Sequence, residues 1–295
     1  MKVVYSTRYA IDIGPHIFPT EKYRRIHDRL LAASPRGLEG VVAPQAASWA
    51  ELALVHTDEY LDKVRTLSLS SAELVELQLP LNKPIVNGFR LMAGGTLTAA
   101  RLALTDGRAC HIGGGFHHAF ANHGEGFCLF NDVAVALEVL RRDEAVSRAA
   151  VVDLDVHHGN GSAFLYDRDP RVFTLSMHEQ HNYPAFKPRG SLDIGLKAGT
   201  DDATYLDLLR GALSHVVEHR PDLVCYLAGA DPFEGDQLGN LRLTKEGLRE
   251  RDRLVLRTMR DARFPVVIVA AGGYATRLED TVDIHVATIT EALAD

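Results

Sequence analysis

The sequence predicts an α/β protein built on a mostly parallel central sheet with helices on both faces. Short apolar runs rich in β-branched residues recur along the chain, and segments with helical spacing separate most of them. Each run is continuously apolar rather than alternating, which is how a strand reads when both of its faces are covered. The chain of 295 residues contains no low-complexity stretch, charge block, internal repeat or linker, so residues 1–295 read as a single domain.

The first strand is "KVVYS". After it, "TEKYRRIHDRLL" and "HTDEYLDKVR" read as extra helices attached to the core. Gly88 to Leu104 has helical spacing and leads into the strand "ACHIGGG". Asp132 to Arg142 is the next helix, with Asp132 or Asn131 as its N-cap. The strands "AAVVDLD" and "VFTLSM" follow, then a helix from Ala203 to His219 with Asp202 as cap. The strand "DLVCYLAG", a helix from Thr244 to Arg260 capped by Thr244, and the strand "PVVIVAAGG" complete the series.

Composition narrows the functional classes. A net charge of −7 argues against non-specific nucleic-acid binding, and no direct nucleic-acid contact is expected. The three cysteines, Cys110, Cys128 and Cys225, are far apart and form no CxxC pair, which suits a reducing compartment. The N-terminus has too short an apolar run for a signal peptide. The longest apolar stretch, around "FPVVIVAAGGYA", falls short of the ~20 residues of a membrane span. A cytoplasmic protein without a membrane span is expected, and no feature specifies an oligomer.

The unusual polar residues sit immediately after the apolar runs, in "HIGGGFHH", "DLDVHHGNG", "SMHEQHNYP", "GADPFEGD" and "AGGYATR". In an open parallel sheet these are the carboxyl ends of the strands, where ligands bind. Asp153, Asp155 and His157 occupy every second position, so an extended chain would point them to one face. Carboxylates crowded in that way repel, and a divalent cation would offset the repulsion. Asp155 and His157, with Asp231 from another strand, make a one-nitrogen, two-oxygen set with an open position, as in catalytic Zn²⁺ sites. The same donors accept Fe²⁺, Co²⁺ or Mn²⁺. Near such an ion, His117 and His118 suit proton transfer and the Tyr274 phenol suits donation to an oxyanion. No GxGxxG or P-loop pattern is present.

Together, "GGGFHHA…GFCLFND", "VDLDVHHGNG", "GAD" and "GGY" resemble the histone deacetylase superfamily along nearly the full chain. "VVYSTRY", "GGGFHH" and "GADPFEGDQLGNL" look closest to its class IV. The resemblance implies an arginase/deacetylase-like α/β fold with zinc at the foot of a narrow tunnel. It implies Asp155, His157 and Asp231 as metal ligands and His117 and His118 as the histidines flanking the attacking water. Tyr274 would polarise the scissile carbonyl and Asp153 would orient His117. Gly126, Phe127 and Tyr183 would line the tunnel, and Leu238 would stand where polyamine-specific relatives carry an acidic gatekeeper. A structural K⁺ would be held by Asp153, Asp155, Ser176 and the main chain of His157 and Met177. Asn160 replaces the Asp of class I members, so it would fix the tautomer of His118 without adding charge, and Asn160→Asp is expected to be tolerated as nearly isosteric.

The implied activity is zinc-dependent removal of acyl groups from lysine side chains of a protein or peptide substrate. Deacetylation of small molecules such as acetylpolyamines, or metal-bearing binding of acyl-lysine without turnover, are the alternatives. Class IV resemblance also implies long fatty acyl groups. Where class I enzymes carry Trp and Ser before the glycines, this chain has Ile112 and Gly113, which would leave volume at the tunnel foot.

Overall fold

A computed structural model describes residues 1–33 and 40–294. Its sheet comprises β1 (Lys2–Val4), β2 (Val41–Val42), β3 (Arg108–His111), β4 (Ala149–Asp153), β5 (Val172–Glu179), β6 (Leu192–Leu196), β7 (Leu223–Leu227) and β8 (Val266–Val269). The spatial order is β2-β1-β3-β8-β7-β4-β5-β6, and every pairing between these strands is parallel. The sheet is thus wholly rather than mostly parallel. The expected runs supply six of the strands, and β4, β7 and β8 are buried at every residue. The remaining two are edges. β2 has only two residues, and "LDIGL" of β6 alternates in exposure, so neither presents a continuous apolar run.

The helices are α1 (Lys22–Ala33), α2 (Trp49–Leu52), α3 (Asp58–Thr66), α4 (Ser71–Leu77), α5 (Lys83–Asp106), α6 (Asp132–Arg142), α7 (Asn160–Tyr166), α8 (Asp202–His219), α9 (Lys245–Ala262) and α10 (Leu278–Ala294). α5 packs across β1, β3, β7 and β8 with α6 beside it, while α9 lies against both α8 and α10. α5 begins before the expected Gly88 because Asn82 accepts from the Ile85 N–H and Pro84 suits a helix start. Of the two residues offered as the α6 cap, Asn131 accepts from the Ala134 N–H, and one cap shifts by one residue: Asp201, not Asp202, accepts from that of Thr204. With Asn131 as the cap, Asp132 is free for another task.

Asp132 is fully buried and accepts the main-chain N–H groups of Gly115 (3.0 Å) and Phe116 (2.7 Å), which holds the glycine loop after β3. Behind it runs a directed chain of hydrogen bonds. The Thr96 hydroxyl donates to Asp132, His111 Nδ1–H donates to Thr96 (2.9 Å), and the Tyr9 hydroxyl donates to His111 Nε2 (2.7 Å). Burial depresses the His111 pKa to about 3, so the ring is neutral and can play both parts. Breaking a buried network is costly because its ends cannot reach water. Thr96→Val keeps the shape and removes the link, so we expect a loss of about 1–3 kcal/mol in urea-induced unfolding. A loss under about 0.5 kcal/mol, the range of ordinary surface substitutions, would exclude a structural role for the chain of bonds.

Candidate active site and metal centre

β3, β8, β7 and β4 are neighbours, and their carboxyl ends lead into "GGGFHH", "AAGGY", "AGAD" and "DLDVHH". This ordering brings His117 and His118, Tyr274, Asp231 and the Asp153–His157 segment to one place. Asp153, Asp155 and Asp231 are 2%, 2% and 0% exposed, so three carboxylates share a buried site.

The ligand atoms of Asp155, His157 and Asp231 all lie within 4.8 Å of one another. Backbone amides aim the carboxylates: Asp155 accepts from the N–H of His157 (3.0 Å) and Gly272 (2.9 Å), and Asp231 Oδ1 from that of Val156 (2.9 Å). Gly272 must be glycine, because a Cβ there would lie 2.0 Å from Asp231 Oδ2. The remaining oxygen, Asp231 Oδ2, is buried and accepts no hydrogen bond. His157 Nδ1 stands 2.9 Å from Asp155 Oδ1 and 3.4 Å from Asp231 Oδ2. Burial opposes the His157 charge, but the hydrogen bond to Asp155 and the nearby Asp231 carboxylate outweigh it and raise the pKa to about 10. Asp231 itself is pushed up to about 7, by burial and then by the charge of Asp155. The cluster is short of positive charge and has an unsatisfied oxygen. A divalent cation in the position of that proton fits this donor set.

Beside the cluster, hydrogen-bond directions fix the histidine protons. Tyr183 OH donates to Glu125 Oε1 (2.9 Å), and Asn160 Nδ2 donates to the same oxygen (3.0 Å). Burial would raise the Glu125 pKa, but bonds from His123, Asn160 and Tyr183 hold it below the usual carboxylate range. An ionised Glu125 only accepts, so the Asn160 amide must face it, turning Asn160 Oδ1 toward His118 Nδ1 (2.7 Å). His118 therefore carries its proton on Nδ1 and presents a lone pair at Nε2. His117 Nε2, 3.1 Å away, must then donate to it, while His117 Nδ1–H donates to Asp153 (2.6 Å). Both nitrogens of His117 are protonated. Its pKa agrees: burial lowers it, but Asp153 and Asp155 outweigh burial and hold it at about 9. His118 lies well below its ordinary value, first through burial and then through the His117 and His157 charges.

A tunnel of about 170 Å³ descends to this cluster between Phe127, Tyr183, Gly126, Leu238 and Tyr274, with His118 and His157 at its walls. Burial, followed by the Asp155 and Asp231 charges, raises the Tyr274 pKa well above its ordinary value, so the phenol remains a donor. Of the residues expected at K⁺, β4–β5 register sets Ser176 beside Asp153, with Met177 next in β5. Ser176 Oγ shares a hydrogen bond with His178 Nδ1 (3.0 Å). The expected volume at Gly113 is absent. A Cβ there would meet His111 Nε2 at 2.9 Å and Tyr9 at 3.2 Å, so the Tyr9–His111 pair fills the space. The contact of Asn160 Nδ2 with Glu125 argues against the tolerance expected of Asn160→Asp, because the new oxygen would face the Glu125 carboxylate.

Four contributors escaped the sequence reading. Besides Glu125 and Asp132, Asp236 accepts the N–H groups of Tyr274 (2.7 Å) and Leu238 (2.8 Å) and so pins two tunnel residues. Lys22 is fully buried, donates to the Ala271 carbonyl (2.7 Å), and lies 5.7 Å from the Tyr274 ring centroid. Burial lowers its pKa to about 8 against the Asp231, Asp155 and Asp236 charges. A signal for Lys22 did exist: it falls on the stripe of Ile26 and Leu30, a cation at i, i+4, i+8 on the apolar face of a helix. Glu125 and Asp236 have no such periodicity.

Comparison with known proteins gives a consistent assignment. A model of the histone deacetylase domain matches residues 16–289. An uncharacterized protein of Picosynechococcus is 41% identical over 285 residues, covering 96% of this chain and 95% of that one. Histone deacetylase 2 of Arabidopsis thaliana is 32% identical over 289 residues, covering 93% of this chain and 74% of its own. The acetoin utilization protein AcuC of Bacillus subtilis is 32% identical over 277 residues, with coverage of 85% and 71%. The crystal structure of the HDA15 HD domain shares the fold, with a TM-score of 0.82 at 23% identity, over 100% of this chain and 91% of that one. With the family model spanning most of its length and relatives above 30% identity, this chain belongs to the histone deacetylase domain family of amidohydrolases.

Proposed function

We propose that the protein is a zinc-dependent lysine deacylase, acting on acetyl-lysine in a protein or peptide. The observation that carries this reading is the buried Asp155–His157–Asp231 set at the foot of a tunnel, flanked by an accepting His118 Nε2 and a donating Tyr274. Asp155, His157 and Asp231 would hold Zn²⁺, which when bound polarises an acyl carbonyl and lowers the pKa of water toward ~7. When the attacking water replaces His117 Nε2–H as the partner of its one lone pair, His118 Nε2 takes the water's proton and later returns it to the departing lysine amine. Tyr274 OH donates to the oxyanion, and cationic His117, fixed by Asp153, adds positive charge alongside.

Leu238 lines the tunnel, whereas Glu234 and Asp236 do not, and Asp236 is engaged by two main-chain N–H groups. A neutral gate supports a lysine substrate over an acetylpolyamine. Within the family we place the chain nearest class IV on "VVYSTRY", "GGGFHH" and "GADPFEGDQLGNL", with K⁺ on the Asp153–Ser176 pair and the whole chain as one catalytic domain in the cytoplasm.

Three outcomes test the reading. Asp231→Ala should lose most bound metal and all activity, whereas Tyr274→Phe should retain metal and lose roughly 10²–10³ in turnover. Full metal occupancy in Asp231→Ala would remove it from the ligand set. The second test uses Asn160→Asp, which sets two carboxylates face to face and should lower kcat/KM by about tenfold or more. Adding Glu125→Gln supplies an amide donor in place of the repulsion and should restore most of the loss, a coupling that a double-mutant cycle reads directly. Additive effects would mean that Glu125 does not govern Asn160.

The third test concerns acyl length. A tunnel of about 170 Å³ with Gly113 backed by Tyr9 and His111 supports short acyl groups. Forcing further methylenes into a filled site costs about 1–3 kcal/mol. We expect kcat/KM to fall from acetyl- to octanoyl- to myristoyl-lysine in one peptide. A rise along that series would instead support long-chain acyl groups as substrates.

A further inference from the structure

A second hollow, of about 780 Å³, opens beside the tunnel mouth and shares Gln78 and Tyr183 with it. Its apolar side is an aromatic platform. The Phe164 and Phe186 rings lie 5.3 and 6.4 Å from that of Phe120, and His123 stacks on Phe120 at 4.6 Å. Phe164 is 53% exposed and Phe186 is 60% exposed. Two exposed phenylalanines that both pack on the buried Phe120 ring form the kind of apolar patch that usually marks a binding surface.

An acidic group adjoins this platform through His123. His123 Nε2 lies 3.7 Å from Glu76 and 3.7 Å from Glu125. Against these two carboxylates the lining offers one imidazole and no lysine or arginine. Lys187, next to Phe186 in sequence, has its ammonium bound to the carbonyls of Asn182 and Pro184.

We propose that this hollow receives the polypeptide flanking the acylated lysine, and selects an aromatic or large aliphatic side chain with a lysine or arginine beside it. This rests on the lysine-deacylase reading and deepens it. Continuity with the tunnel favours a substrate segment: with the lysine inserted, an extended chain advances about 3.3 Å per residue, so positions one and two away reach past the shared Tyr183 wall. The platform would bury the apolar side chain, and Glu76 and Glu125 would attract the cation. Because these contacts are remote from the scissile amide, they add mainly uniform binding and should appear in KM more than in kcat.

The test uses the metal-loaded protein and acetyl-lysine peptides of one length. These carry Phe-Arg, Ala-Ala or Ala-Glu on either side of the lysine, together with a capped single acetyl-lysine. We expect Phe-Arg peptides to exceed Ala-Ala peptides in kcat/KM on the order of tenfold, with Ala-Glu poorest. Phe164→Ser with Phe186→Ser should erase the aromatic part of this preference, and Glu76→Gln should reduce the part due to arginine, while all variants hydrolyse the capped lysine as the parent does. Equal rates for all flanks, or a preference that survives these substitutions, would overturn the inference while leaving deacylation standing. Failure on the capped lysine and every peptide alike would overturn both.

Discussion

Three carboxylates lie almost dry at one edge of the sheet, and much of the surrounding structure serves to bring positive charge to them. Asp153 is met by a doubly protonated His117, and Asp155 and Asp231 close on His157. Lys22 enters from α1, and the buried Arg251 of α9, paired with Asp252, donates to the Gly229 carbonyl two residues before Asp231. Burying one carboxylate without compensation costs several kcal/mol, so a set of three demands cations from several directions. That demand is also what makes the site a place for a divalent ion.

The second organising feature is direction rather than charge. Hydrogen bonds have a donor and an acceptor, and a group that only accepts imposes order on its neighbours. Glu125 orders Asn160, Asn160 orders His118, and His118 orders His117, until the proton count of both histidines is settled. Asp132 plays the same part for Thr96, His111 and Tyr9 one layer away. One chain leaves a lone pair on His118, and the other holds the loop from which both histidines project.

Legibility in the sequence followed the range of the physics. The central strands could be read because each buries every residue, and helices α6, α8 and α9 because their apolar residues keep the helical period. The candidate metal set was signalled by the alternation of Asp153, Asp155 and His157, which only an unusual environment makes favourable, with Asp231 following another strand. The edge strands β2 and β6 were not, since an edge need not be continuously apolar. Glu125, Asp236 and Lys22 were missed because an isolated charged residue looks alike whether it faces solvent or a neighbour far along the chain.

Local pattern by itself determined the class of fold, the location of chemistry at the strand ends, and the residue types able to hold a metal and move protons. These are short-range properties, set by side-chain period and by which residues follow each strand. The strand order β3-β8-β7-β4, the proton positions on His117 and His118, the filling of the space behind Gly113 by Tyr9 and His111, and the contact of Glu125 with Asn160 were decided only in three dimensions. Each depends on contacts between residues remote in sequence, whose distance and direction exist only once the sheet has assembled.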